Sequence, residues 1–179
     1  MAKKIILKLA DAQQYGSISH NKEEFEIIAL NAQETDLREL LGDALYYQLY
    51  SDLNSEGLPQ NEPYIKLVNG TTYDYDGDTV EYFGLKPYLT FAWLAYNVRG
   101  EGDNKVTNYG NALLGDDPQS YLTKTSKSER DELNSTYMKR VTSYRNNIVK
   151  YLNDNDADFE TWEGRTENKS KSQFNSFTI

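Results

Sequence analysis

Acidic side chains are the most plentiful groups in this chain that could do chemistry. There are 28 Asp and Glu against 19 Lys and Arg, a net charge of −9. Asp74, Asp76 and Asp78 alternate in the manner of a calcium loop. Such a loop needs Gly at its sixth position and a bidentate Glu at its twelfth, and both are absent. Gly77 instead sits where a hairpin would turn. Asp154, Asp156, Asp158 and Glu160 also alternate, but Phe159 takes the Gly position and Arg165 the Glu position. A solvated connection from helix to tail is the better reading. Paired carboxylates could hydrolyse a glycoside, yet no pair is marked by an apolar setting that would raise one pKa. Gly100-Glu-Gly102 lacks the third Gly of a dinucleotide fingerprint, and no Gly-Lys-Ser/Thr exists. His20, the single His, would have to carry any Ser-His-Asp triad; between Ser19 and Asn21 it reads as an exposed loop residue. The chain has no Cys, which excludes thiol catalysis, disulfide frameworks and thiolate metal sites. No catalytic, cofactor-binding or metal-ligating residue is assigned.

The elements that would position any site come from 179 residues, enough for one domain with a real core. Hydrophobic residues make up only 38%, but 15 Tyr, 6 Phe and 2 Trp supply large contact surfaces. Lys3 to Leu9 is β-prone. A helix is predicted over about 22–32. Thr35 suits an N-cap for a second helix, on which Leu37, Leu40, Leu41, Ala44, Leu45, Leu49 and Leu53 recur at spacings of three and four, as one face. Gly42 divides that helix. A loop follows at 54–59, then a short helix from Glu62 that stops at Asn69-Gly70. Thr72, Tyr73 and Tyr75 precede Asp76-Gly77, and Thr79, Val80, Tyr82 and Phe83 follow it, a hairpin pattern. Leu85 to Arg99 is apolar on nearly every face, as a central buried helix would be. Gly100 to Pro118 reads as a long irregular loop. Ser126-Lys-Ser-Glu129 fits a capping box, ahead of a stripe of Leu133, Tyr137, Val141, Tyr144, Ile148, Tyr151 and Leu152. Tyr residues at that spacing read as core rather than as a sugar platform.

Charge is uneven. Residues 1–122 hold 9 basic and 19 acidic residues, net −10, and residues 123–179 hold 10 and 9, net +1. This argues against coating nucleic acid through bulk charge. Ile5-Ile6-Leu7 is too short for a signal-peptide core, and the run from Leu85 is broken by Lys86, Pro87, Asn97 and Arg99. The expectation is a protein kept in a cytoplasm, or built into something assembled there. The Asn69, Asn134 and Asn168 sequons are then chance matches.

The order Leu40-Leu-Gly-Asp-Ala-Leu-Tyr-Tyr-Gln-Leu49, Leu67-Val-Asn-Gly-Thr-Thr-Tyr73, Tyr82-Phe-Gly-Leu-Lys-Pro-Tyr88 and Thr107-Asn-Tyr-Gly110 resembles that of tailed-bacteriophage head–tail connectors, also called adaptor or head-completion proteins. The resemblance covers roughly residues 25–155. It implies a mainly α-helical subunit carrying a hairpin, assembled with itself into a ring, commonly of twelve copies, under the portal. Such a ring extends the DNA channel without sequence-specific binding and receives the tail or further neck proteins. It implies a virion location at the head–tail interface and no catalytic residues. An acidic surface would let DNA slide past by repulsion.

The expected architecture is a small helical bundle with an inserted β-hairpin and extended terminal arms. Residues 1–20 form an N-terminal arm or strand, 21–160 a helical domain with the hairpin at about 71–83, and 161–179 a C-terminal arm. Expected contact residues are Tyr73, Tyr75 and Tyr82 on the hairpin and Tyr109 in the long loop. In the arm they are Arg165, Lys169, Lys171, Phe174, Phe177 and Ile179. The competing readings are a carboxylate-based glycan hydrolase and an aromatic-rich carbohydrate-binding module.

Overall fold

The computed structural model of the chain describes residues 3–16, 18, 20–99, 104–107, 110–113 and 127–164. It is mostly helical. In chain order come α1 (Leu9–Ala12), α2 (Lys22–Ala32), a π-helical turn (Gln33–Leu37), α3 (Arg38–Leu41), α4 (Asp43–Asp52) and α5 (Glu62–Asn69). Strands β1 (Thr71–Tyr75) and β2 (Asp78–Tyr82) follow, then α6 (Leu85–Arg99), β3 (Asn104–Thr107), β4 (Gly110–Leu113) and α7 (Lys127–Asp154).

α6 is the axis of the core. Leu85, Leu89, Thr90 and Trp93 are fully buried, and α7 and α2 pack against it, with α5 and α1 alongside. Trp93 stacks on Phe25 of α2 at 5.1 Å, and its Nε1–H donates to the Phe25 carbonyl at 3.1 Å. α7 spans 28 residues, about 42 Å at 1.5 Å per residue. Phe91 meets Tyr144 and Tyr137, while Tyr82, just before α6, stacks on Tyr151. The pairings run in opposite chain directions, so α6 and α7 lie antiparallel. The expected stripe on α7 is the packed face: Val141, Ile148, Tyr151 and Leu152 are buried, and Tyr137 and Tyr144 are half-buried against the core.

Thr35 is not a cap. The chain leaves α2 without breaking its helical backbone, and the Thr35 hydroxyl donates back to the Asn31 carbonyl at 2.6 Å. The π-helical turn explains why. A plain α-helix continued from buried Ala32 would carry Asp36 inward four residues on. One extra residue in the turn delivers Leu37 instead, and Leu37 is fully buried. Gly42, at φ 76°, then separates α3 from α4 as expected.

The N-terminal segment is not a strand of any sheet. Ile5, Ile6 and Leu7 form a strap, bent at Ile6, with their side chains in the core. The strap's backbone is answered by one amide side chain. Buried Gln33 accepts from Ile6 N–H at 2.9 Å and donates to the Lys4 carbonyl at 3.0 Å. Lys4 Nζ caps the end of α4, donating to the carbonyls of Tyr50 and Leu53. Gln33→Met keeps the volume but strands both backbone groups. We expect a loss of about 1–3 kcal/mol in urea unfolding, with faster proteolysis between residues 3 and 8. An unchanged midpoint and unchanged proteolysis would show that the amide does not hold the strap.

The first hairpin is as predicted: Thr71 faces Tyr82, Tyr73 faces Val80 and Tyr75 faces Asp78. Asp76 and Gly77 both take positive φ, 53° and 87°, the turn that Asp-Gly favours. The stretch read as an irregular loop holds a second antiparallel hairpin, with Asn104 opposite Leu113 and Thr107 opposite Gly110. The tail does not leave the domain at residue 160. After a 3-10 turn at Asp156–Asp158, Phe159 and Trp162 are buried, and Trp162 Nε1–H donates to Asn153 Oδ1 at 2.8 Å. The core thus extends past the expected arm boundary.

Candidate interaction surface

The first hairpin leans on α7 rather than standing free. Asn147 repeats the device used by Gln33. Its Oδ1 accepts from Phe83 N–H at 3.1 Å and its Nδ2 donates to the Glu81 carbonyl at 3.1 Å. In both places one amide occupies the hydrogen bonds that a neighbouring strand would make to residues i and i+2. This blunts the β2 edge against pairing with another chain.

The three hairpin tyrosines have different fates. Tyr82 is buried; its ring stacks on Tyr151 at 3.9 Å and 2°, and its hydroxyl donates to the Leu67 carbonyl at 2.9 Å. Its expected role as an exposed contact residue is therefore corrected. Position 82 lies on the core face of β2, where pleating turns alternate side chains inward. Tyr73 is half-buried, and its hydroxyl donates to Asp154 Oδ2 at 2.6 Å. Lys150 Nζ reaches the same oxygen at 2.6 Å and also lies 4.6 Å from the centroid of the Tyr75 ring. Tyr75 is 42% exposed. Tyr109, Arg165, Lys169, Lys171, Phe174, Phe177 and Ile179 lie outside the described residues.

Burial pushes the tyrosine hydroxyls upward. Desolvation raises Tyr73, aided by its bond to Asp154, and it raises Tyr82 well above its ordinary value. Tyr151 is pushed up to about 12, again by burial first. None of these is poised to act as an acid or base near neutrality. Among the described residues, no cluster of His, Asp and Glu could hold a metal ion, and no helix is long and apolar enough to cross a membrane. Asp74 accepts from the Thr79 hydroxyl at 3.0 Å across the hairpin.

What sequence reasoning missed is the aromatic surface beside the hairpin. Phe83 is 46% exposed and meets the Tyr144 ring edge-on at 5.8 Å. Tyr144 stacks on Phe91 at 5.7 Å, and Arg140 covers the Phe91 ring at 5.1 Å. Burial raises the Tyr15 hydroxyl above its ordinary pKa, and the nearby Tyr144 adds to that rise. Phe83, on the opposite face from buried Tyr82, was the available signal.

His20 is also corrected. It is not exposed: its ring meets Trp93 edge-on at 4.9 Å, and both ring nitrogens are shut off from solvent. Neither nitrogen has a hydrogen bond among the described residues. Burial holds its pKa below the ordinary 6.5, against the opposing pull of Glu24 and of nearby Asn97. A lowered folded-state pKa contributes stability above pH 6.5 that is lost as pH falls through the folded value. We expect the only imidazole in the chain to titrate below 6.5 by NMR, and stability to fall over that window. His20→Gln should remove the imidazole's share of that fall; titration at or above 6.5 would contradict the placement.

The motifs behind the connector resemblance fall on consecutive parts: α3–α4, the passage from α5 to β1, the passage from β2 to α6, and the β3–β4 pair. No curated protein and no solved structure matches the chain. The model of a family of unknown function, DUF6712, matches residues 37–172, and the chain belongs to that family.

Proposed function

We propose that the chain is a structural subunit of a tailed-bacteriophage neck. Copies form a ring that docks on the portal, extends the DNA channel and receives the tail. The observation that carries this reading is the layout: a helical domain built on α6 and α7, with a hairpin inserted between α5 and α6, is what the resemblance implies. The acidic balance suits a channel through which DNA slides without being gripped. In this reading the chain performs no catalysis. The C-terminal arm, net +2 from Arg165, Lys169 and Lys171 against Glu167, carries Phe174, Phe177 and Ile179 as anchors for a neighbour. Deleting residues 165–179 should leave the monomer folded and stop its incorporation into particles. Full occupancy of the truncated chain in infectious particles would remove the arm from the account. Cleavage of glycan by the pure protein, lost on changing one carboxylate, would overturn the reading as a whole.

A further inference from the structure

Two exposed surfaces of opposite character lie on the two helices that share α6 as their support. α2 and α7 each pack on α6 and make no extensive contact with each other among the described residues. On α2, Ile27 is 70% exposed, an isolated aliphatic side chain. Glu23 and Glu24 lie one turn back on the same face, and among the described residues neither is in an ion pair. Along α7, its Tyr144 and the Phe83 of the β2–α6 link form an aromatic floor edged by Arg140, with Lys139 next to Arg140 in the chain. Lys139 and Arg140 are exposed and also outside any ion pair among the described residues. From Leu133 to Asn153 the helix carries Lys139, Arg140, Arg145 and Lys150 and no acid.

Copies carrying −9 repel each other in most orientations. Pairing α2 with α2 sets acid against acid, and pairing α7 with α7 sets cation against cation. Only the apposition of one copy's α2 with another's α7 joins opposite charges and covers both apolar features at once. We propose that α2 of one copy docks on the Phe83–Tyr144 surface of the next. Ile27 then seats on the aromatic floor, and Glu23 and Glu24 face Lys139 and Arg140. The proposal rests on the reading that the chain assembles with itself. It makes the contact heterologous, the kind that closes into rings or runs on as filaments.

The absence of Cys makes the test direct. Asn31→Cys and Ser143→Cys each change an exposed residue beside one surface. Mixing the two full-length variants under mild oxidation should give a 31-to-143 cross-linked dimer, and the double variant a ladder. Lys139→Glu with Arg140→Glu should abolish the product, and adding Glu23→Lys with Glu24→Lys to the same chain should restore it. Ile27→Asp should weaken association by roughly tenfold or more with no change in monomer melting. Dominant 31-to-31 or 143-to-143 products would overturn the proposal. So would the absence of any product both at concentrations on the order of millimolar and in particles. If copies nevertheless assemble, by light scattering or in particles, only the choice of surfaces falls. If they do not assemble at all, the assembly reading falls with it.

Discussion

Trp93→Ala is expected to lower stability by about 3–5 kcal/mol, the usual cost of deleting a large buried ring. For a domain of this size that is a fall of about 10 °C or more in melting temperature. Trp93 is fully buried on α6 and joins three parts of the chain: the Phe25 ring and carbonyl of α2, the His20 ring, and its own helix. Truncation removes the packing and leaves the Phe25 carbonyl without its indole donor. Trp93→Phe should cost less, because it keeps most of the ring contact and loses chiefly the hydrogen bond. Calorimetry on the three proteins checks the order. Unchanged melting in the Ala variant would contradict the placement of α6 at the centre of the core.

The second large effect is expected at the root of the first hairpin. Gly84 and Gly77 both take a positive φ, 85° and 87°. A Cβ on Gly77 meets nothing within 4 Å. A Cβ on Gly84 would lie 2.6 Å from Gly70 N and 2.7 Å from both the Asn69 carbonyl carbon and the Val68 oxygen, all backbone atoms that cannot swing away. Gly77→Ala should therefore cost only the left-handed conformation, roughly 1–2 kcal/mol. Gly84→Ala should cost that plus separation of the α5 end from the start of α6, at least about 2 kcal/mol further. Denaturant unfolding of the pair isolates the packing term. Equal losses would mean that the close approach of the two chain segments contributes nothing.

Where local pattern and tertiary environment agree, the fold was legible. α6 was readable from its all-round apolarity, the α7 stripe from its 3.6 periodicity, and the first hairpin from β-branched and aromatic residues around Asp-Gly. The failures share a physical cause: a distant group decides the local outcome. Lys3–Leu9 has strand propensity, yet its partner is the Gln33 side chain, which no strand pattern announces. Thr35 is a good cap by type, but the π-helical turn keeps the helical backbone running through it and its hydroxyl turns back to Asn31. His20 stands among polar neighbours in sequence and against Trp93 in space. Phe159 and Trp162 fold back from an acidic connection because Phe159 packs against Tyr64 and Tyr151 and the Trp162 indole donates to Asn153. The second hairpin was missed because Asn104–Thr107 and Gly110–Leu113 contain Asn, Gly and Ala, weak strand formers. At the candidate surface, the sequence pointed to the hairpin tyrosines. The structure turns Tyr82 inward, ties Tyr73 to Asp154, and exposes Phe83 on the other face.

The central claim is that the chain is a built-in part of a phage neck, and imaging of particles tests it most directly. If the reading holds, a phage or prophage carries the gene; its virions would be purified, treated with antibody against the chain and viewed by negative stain. The account predicts label confined to the junction of head and tail, and particles lacking the chain that carry filled or leaking heads without tails. Label elsewhere, or purified virions that lack the chain and are fully infectious, would contradict it.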